Sequence, residues 1–251
     1  MTSTIIPTPP PTDVRSSVTL QNFNLSFQLR KNKRLKQARL LITPEEGLVI
    51  ESPRAVSLKS ARRIIQDRKD WIIDEMKIVH EQRKEARHIK KHQNSILVFG
   101  REKIVEIRLQ QKRDYVLESQ TRIILGFELA RVSKKQMMSV LTNWLREKAR
   151  KYLKIRLAQL NEGRFTINRI FVKNHKTLWG SCSSDNNINL NWRLIMAPRF
   201  ASDYIIYHEM CHTKFLDHSP NFWKTVAKVC PSYKRAETWF SKYGFLLHFG
   251  V

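Results

Sequence analysis

The sequence is short of features that would each mark a particular class of protein. No uninterrupted apolar run approaches the roughly 18 residues that a membrane-spanning helix needs, so no such helix is expected. Cysteine occurs only three times, which is too few and odd in number for a disulfide framework. Because proteins without such a framework are typical of reducing compartments, the sequence predicts a cytoplasmic location.

The first 17 residues also lack the features of a signal peptide, because no basic segment is followed there by an apolar stretch. They are instead rich in Pro, Thr and Ser, a composition that buries little apolar surface. Residues 1–17 are therefore predicted to be a flexible leader.

Acidic residues are scarce relative to basic ones. The chain has 22 Asp and Glu against 46 Lys and Arg, a formal net charge of +24. A field of that sign attracts polyanions, and nucleic acid is the commonest polyanion in a cytoplasm. The basic residues are scattered along the chain, so a surface that serves only solubility explains them equally well. Nucleic acid or another polyanion thus remains one of two open interpretations, and no membrane partner is predicted.

The apolar pattern predicts an α+β protein. A β-rich N-terminal region over 18–130, with one long helix after Ser57, is expected to precede a C-terminal core over 131–251. The helices predicted in the core lie at about 133–160, 199–215, 220–229 and 231–242, and its strands at 164–173 and 188–192. No internal repeat is visible in the sequence.

The helix predicted at 199–215 carries an H-E-x-x-H motif formed by His208, Glu209 and His212. Two histidines four residues apart lie on one face of an α-helix, so both imidazoles can reach one ion. Glu209 projects beside the pair, where it is placed to hold a metal-bound water rather than the metal. The two histidines leave a tetrahedral zinc one protein ligand short. His218, which follows in a short turn, is the nearest candidate.

Other side chains compete for the position of third ligand. His175 precedes the motif in a strand–loop region, His248 lies near the C-terminus, and Glu237 is on the last predicted helix. We favour His218, because the chain must turn before the next predicted helix and this turn returns it towards the motif. The two cysteines nearest the motif are predicted to be buried thiols rather than ligands.

Four segments in the second half of the chain carry an unusual combination of residues. They are Trp179–Ser184 (WGSCSS), Ile188–Leu194 (INLNWRL), His208–His212 (HEMCH) and His218–Trp223 (HSPNFW). Together they resemble the YgjP-like metallopeptidase family, whose relatives include the SprT and WLM zinc peptidases. The resemblance implies a zincin-like core with a small mixed sheet and an active-site helix. It also implies zinc held by His208, His212 and His218, with Glu209 as catalytic base.

One residue departs from the family pattern. Leu178 stands where members usually carry a basic residue, immediately before the Trp-Gly-Ser-Cys segment, so substrate handling is expected to differ here. The residues predicted to contact substrate are His175, Trp179, Asn189 and Asn191. Two interpretations of the strand over 188–192 stay open: an exposed edge along which an extended substrate pairs as an added strand, or a half-buried strand whose alternation has no role in binding.

These features predict a zinc-dependent hydrolase. The first hypothesis is a metallopeptidase in which Glu209 activates a zinc-bound water to cleave a peptide or protein substrate. A metal-dependent phosphohydrolase acting on a nucleotide or polyphosphate would use the same site. A non-enzymatic nucleic-acid-binding protein with a structural zinc is the third hypothesis.

Overall fold

The computed structural model describes residues 14–20, 23–44, 46–109, 114–128, 132–175 and 177–248. Most of the predicted leader lies outside these ranges, but its last residues, from Val14 onwards, belong to a strand. The chain forms two compact units, one spanning Pro9–Arg87 and the other containing His88–Val251. The boundary predicted near residue 130 lies inside the second unit.

The first unit is a four-stranded sheet followed by two helices. Its strands are β1 (Val14–Leu20), β2 (Phe23–Lys31), β3 (Arg39–Thr43) and β4 (Gly47–Ser52), and its helices are α1 (Leu58–Asp67) and α2 (Lys69–Ala86). The strand order is β1-β2-β4-β3; β2 and β4 are parallel, and the outer strands are antiparallel to them. Apolar residues of the sheet and both helices form the core: Phe27, Leu48, Ile50, Ala61, Ile65 and Ile72.

The apolar spacing predicts one helix after Ser57, whereas the chain forms two. Ser57 caps α1, because its hydroxyl accepts a hydrogen bond from the amide of Ser60. Arg68, with φ −119° and ψ 19°, separates α1 from α2. Helix α2 then continues through a strongly polar sequence to Ala86. Because Val79 and Ala86 keep one face of α2 buried, the charged residues on its other faces do not end the helix.

The second unit begins with a sheet of the same connectivity. Its strands are β5 (Ser95–Val98), β6 (Arg101–Leu109), β7 (Tyr115–Glu118) and β8 (Arg122–Phe127), in the order β5-β6-β8-β7. As in the first unit, the two central strands are parallel and each outer strand is antiparallel to its neighbour. The chain therefore contains a repeated strand topology that the sequence does not display.

The long helix α3 (Lys134–Asn161) follows this sheet close to its predicted position. A capping box fixes its start: Ser133 accepts from the amide of Gln136, whose side chain accepts from the amide of Ser133. Its buried stripe consists of Leu141, Leu145, Ala149, Leu153, Leu157 and Leu160. Although α3 has 28 residues, no described helix is both long and apolar enough to cross a membrane.

A three-stranded sheet follows α3, and it corrects one prediction. Its strands are β9 (Arg169–Lys173), β10 (Gly180–Cys182) and β11 (Asn187–Asn191), in the order β10-β11-β9. The strand considered as an exposed edge, β11, is paired on both sides, antiparallel to β10 and parallel to β9. The edge position belongs to β10, which was predicted to be loop. Six helices and three small mixed sheets in the described residues confirm the α+β class.

Two contacts position the helix that carries the motif, α4 (Arg199–Cys211). Gly100, at φ +74° in the β5–β6 turn, lies so close to Pro198 that a Cβ would be 2.6 Å from its ring. Arg156 of α3 donates to both carboxylate oxygens of Asp203, at 2.8 and 2.7 Å. The chain ends in α5 (Pro220–Val229) and α6 (Tyr233–Tyr243).

Candidate metal centre

The C-terminal end of α4 presents His208 and His212 on one face. Their ring centroids are 4.9 Å apart, and their Nε2 atoms lie within 3.2 Å of each other. The helix ends at Cys211, several residues earlier than predicted, and His212 is its capping residue. The hydroxyl and the amide of Thr213 both donate to the carbonyl of Met210, one of the last carbonyls of the helix.

The turn after α4 returns His218 to this pair. Its Nε2 atom lies 3.1 Å from Nε2 of His208. The amide of Ser219 donates to the carboxylate of Asp217 at 3.3 Å, and Pro220 then opens α5. One nitrogen from each of the three histidines lies within 4.8 Å of the other two. In the part of the chain that the structure describes, no other set of three potential ligands comes together in this way.

Hydrogen bonds on the outer sides of the rings indicate which nitrogen carries the proton. Nδ1 of His212 lies 2.9 Å from the carbonyl of Phe215, which can only accept, so Nδ1 is protonated. Nδ1 of His208 faces the hydroxyl oxygen of Tyr204 at 3.5 Å, and that hydroxyl gives its own hydrogen to Glu237. The two Nε2 atoms therefore direct lone pairs at each other, an arrangement that a cation would stabilise.

The spacing and protonation of these nitrogens fit a zinc ion. Two nitrogens bound tetrahedrally to one zinc at roughly 2.0–2.1 Å lie about 3.3 Å apart. The separations of 3.2 and 3.1 Å around His208 are close to that value, whereas the set as a whole extends to 4.8 Å, so His212 and His218 would have to approach each other when the ion binds. Burial, followed by the charges of His212 and His218, lowers the pKa of His208 to about 3. This ring is therefore neutral at physiological pH, as a metal ligand must be.

Aromatic side chains of α5 pack against all three imidazoles. Phe222 is fully buried and stacks on His212 with a centroid distance of 4.5 Å. Its edge meets the ring of His208 at 4.9 Å. Trp223 stacks on His218 at 5.7 Å. Because each ring is packed on one side, the imidazoles keep the orientation that directs their nitrogens together.

Glu209 is enclosed between α4 and the edge strand β10. It is only 5% exposed, and its Oε2 atom has no hydrogen-bond partner among the described residues. Burial raises the pKa of its carboxyl to about 8. A Cβ at Gly180 would lie 2.5 Å from Oε1 and 2.6 Å from Cγ of Glu209. The strand therefore approaches this carboxyl closely only because residue 180 has no side chain.

The other residues considered as third ligand lie outside the histidine cluster. The ring of His248 packs against Trp179 at a centroid distance of 5.6 Å. Glu237 accepts a hydrogen bond from Tyr204 at 3.0 Å. His175 lies in the loop before β10, where its Nε2 atom is buried without a partner in the described chain.

Asn191, predicted to contact substrate, holds this loop in place. Its side-chain nitrogen donates to the carbonyls of His175 and Leu178, at 3.1 and 2.9 Å. Its side-chain oxygen accepts from the amide of Arg193 at 3.1 Å. The Asn191 side chain is buried, and these bonds to backbone groups shape the loop. Leu178 is largely exposed.

Trp179 and Asn189, also predicted as substrate contacts, lie on the sheet beside Glu209. The ring of Trp179 is half-buried against Phe240, with a centroid distance of 5.0 Å. Asn189 of β11 donates to the hydroxyl of Ser181 on β10 at 3.1 Å, and its oxygen atom is buried without a partner in the described residues. Both side chains therefore support the strand next to Glu209.

Sequence reasoning missed two residues of this site. Tyr204 precedes His208 by four residues, so the helical spacing that relates the two histidines also places Tyr204 on their face. This spacing could therefore have identified Tyr204 from the sequence. Gly180 lies 29 positions before Glu209, and nothing local in the sequence relates the two. Their contact depends on how the edge strand packs against α4.

Comparison with known proteins identifies the family. The model of the YgjP-like metallopeptidase domain matches residues 36–243. No curated protein and no solved structure matches the chain. The matched range covers most of the sequence and includes every residue of the centre described above, which confirms the resemblance. Metallopeptidases are hydrolases with a metal cofactor, and this chain belongs to the YgjP-like metallopeptidase family.

Proposed function

We propose that this protein is a zinc-dependent peptidase whose zinc is held by His208, His212 and His218, with Glu209 as the proton-transferring residue. The convergence of the three imidazole nitrogens is the observation that carries the proposal. The low pKa of His208 supports it, because a neutral ring is ready to bind a metal. The family supplies the reaction class, hydrolysis by a metallopeptidase.

In this proposal the buried carboxyl of Glu209 moves the proton. Zinc, when bound, lowers the pKa of a water molecule and polarises the carbonyl of the substrate. In its ionised form, which the positive charge of a bound metal favours, Glu209 accepts a proton from the water while the oxygen of the water forms a bond to the carbonyl carbon. It then gives this proton to the amine nitrogen as the carbon–nitrogen bond breaks. The enclosed position of Glu209 limits competition from bulk water for that proton.

We further propose that an extended peptide binds along β10. This strand is at the edge of its sheet, and Gly180 at its start contacts the carboxyl of Glu209. A peptide added there would form main-chain hydrogen bonds with β10 and pass beside the proton-transferring group. The location differs from the one considered from the sequence, because β11 has both of its edges occupied.

The test combines metal analysis with a substrate screen of the purified full-length protein. The screen covers a fluorogenic peptide library, casein and the common nucleoside triphosphates. We expect one equivalent of zinc and peptide cleavage. Glu209→Gln should abolish cleavage while zinc content is retained, because glutamine cannot accept the proton. His218→Ala should lower zinc occupancy and cleavage together.

Two outcomes would contradict the proposal. Cleavage that survives Glu209→Gln would exclude Glu209 as the base. Nucleotide hydrolysis that needs Glu209, with no cleavage of any peptide, would assign the same residues to a phosphohydrolase. A matched control is His80→Ala, which removes an exposed histidine of α2 and should change neither zinc content nor activity.

A further inference from the structure

The first unit contains a groove that the proposed peptidase reaction does not use. It encloses about 410 Å³, within the roughly 300–1,000 Å³ typical of ligand sites. Its lining comes from β3, β4, α1 and the start of α2: Ala38, Arg39, Leu40, Ile50, Ile64, Arg68 and Trp71. All of these residues belong to the unit formed by Pro9–Arg87.

The groove has an apolar floor and one exposed aromatic wall. Ile50 is buried, whereas Leu40 and Ile64 are partly buried beside it. Trp71 is 43% exposed, although its neighbour on α2, Ile72, is buried in the core of the unit. A large indole surface is thus available to a ligand in the groove. Exposed indole faces stack well on flat aromatic groups.

Cations surround this aromatic wall. Arg39 lines the groove with its side chain 45% exposed, although it also pairs with Glu51. Arg68 is exposed, and it forms no ion pair with any described residue. Acids also lie on α1 and α2: Asp67 pairs with Arg63, Asp74 pairs with Lys77, and Asp70 is in the first turn of α2.

The segment leading into β3, whose last two residues line the groove, is also rich in cations. The residues from 31 to 39, KNKRLKQAR, include five cations and no acid. Lys33, Arg34 and Lys36 are exposed and form no ion pair within the described part of the chain. Because an uncompensated row of cations attracts a ligand with repeating negative charge, a polyanion fits this surface better than a single small anion.

We propose that this groove binds single-stranded nucleic acid, with a base stacked on Trp71 and the adjoining phosphates contacted by Arg68 and the 31–39 segment. Stacking on an aromatic side chain beside a cationic surface is how proteins bind single strands without reading their sequence. A double helix keeps its base faces covered and would leave Trp71 unused. An acidic peptide would satisfy the cations, but its carboxylates gain nothing from an indole face.

The binding test uses the full-length protein and fluorescein-labelled 12-mers of oligo-dT and oligo-U, which separate DNA from RNA as the ligand. We expect Trp71→Ala to weaken binding by about ten- to a hundredfold, the loss that corresponds to one stacked base. Trp71→Phe should keep part of the affinity that Trp71→Ala loses, because phenylalanine can still stack on a base. Ile78→Ala, an exposed apolar change on the same helix and outside the groove, should leave affinity unchanged.

Charge is tested separately from stacking. Arg68→Ala should weaken binding more than Lys154→Ala, which removes an exposed cation of α3. Wild-type affinity should fall steeply as salt concentration rises. Equal losses for the two charge variants, or unchanged affinity after Trp71→Ala, would overturn the proposal. So would displacement of the oligonucleotide by poly-glutamate at equal charge concentration. Glu209→Gln should bind oligonucleotide normally, so failure of the peptidase proposal would not affect this result.

Discussion

The hydroxyl of Tyr204 donates a hydrogen bond to the carboxylate of Glu237 at 3.0 Å. The same oxygen faces Nδ1 of His208 at 3.5 Å, so a residue of α6 orients an imidazole of α4 through a tyrosine. Burial, followed by the charge of Glu237, raises the pKa of Tyr204 well above its usual range. The hydroxyl therefore keeps its proton and remains the donor to Glu237. Such outer contacts fix the orientation of metal-binding histidines.

Removing this hydroxyl should weaken zinc binding. Tyr204→Phe keeps the aromatic packing but leaves His208 without its outer contact, and we expect zinc affinity to fall by about tenfold or more. Competition with a chromogenic chelator measures the change. Tyr207→Phe, the same substitution three residues along α4, is the control. Equal affinities for the two variants would show that Tyr204 does not position His208.

A methyl group at position 180 should interfere with Glu209. The Cβ of Gly180→Ala would overlap the Glu209 carboxyl, so this side chain must move and proposed peptidase activity should fall at least tenfold. The zinc content should stay normal, because the three atoms nearest to the added methyl group all belong to Glu209 and none to a histidine.

Gly163→Ala is the matched comparison. Residue 163 has open space around it but a φ of +74°, so alanine there should cost about 1 kcal/mol of stability and leave activity intact. Urea unfolding and peptide cleavage distinguish the two variants. Full activity in Gly180→Ala would contradict the steric role of this glycine.

The ion pairs of Glu51 should contribute far more to folding stability than those of an exposed glutamate. Its side chain is 3% exposed and accepts from Arg30 and Arg39, and these bonds, working against the cost of burial, lower its pKa. Glu51→Ala would remove the acceptor that Arg30 and Arg39 share, although Arg30 would keep its bond to Glu46, so we expect a loss of about 2 kcal/mol in unfolding free energy. Glu81→Ala removes an exposed partner of Lys84 and should change stability by less than about 0.5 kcal/mol.

Glu102 should contribute stability that depends on pH. Burial opposes ionisation of its carboxyl, but hydrogen bonds from Ser95 and from the amides of His92 and Lys91 outweigh it and lower the pKa to about 2. In the unfolded chain this pKa is near 4.5. The stabilisation is therefore complete above pH 4.5 and disappears as the pH falls towards 2.

Urea unfolding of wild type and Glu102→Gln at several pH values tests this dependence. We expect wild type to exceed Glu102→Gln in unfolding free energy by roughly 1–2 kcal/mol at pH 7, after allowance for solvent screening. This difference should become smaller below pH 4.5. Glu128→Gln, at an exposed position, should show little difference from wild type at any pH. If the difference in unfolding free energy between wild type and Glu102→Gln increased on acidification, the lowered pKa of Glu102 would be contradicted.

Elements with a strong local signal were predicted well from the sequence. Helix α3 combines a capping box at Ser133 with a long leucine stripe, and its predicted bounds differ from the observed ones by one residue at each end. Helix α5 begins at Pro220, as predicted, and a first-turn proline suits this position even though Ser219 forms no side-chain capping bond. The spacing of His208 and His212 also needs only helical geometry.

Features that depend on tertiary packing were not predictable in this way. Strand β10 has only three residues, and its pairing with β11 gives it strand geometry that its own sequence does not indicate. The same pairing makes β11 a central strand. The break at Arg68 has no proline or glycine to mark it, and it appears where α1 and α2 each pack apolar residues into one core.

The two four-stranded sheets have the same connectivity, and each is followed directly by a helix. In the first unit the strands and following helices form the groove beside Trp71, whereas in the second unit the following helix holds α4 through the ion pair of Arg156 with Asp203. One connectivity of strands thus shapes a groove in one part of the chain and supports the motif helix in another.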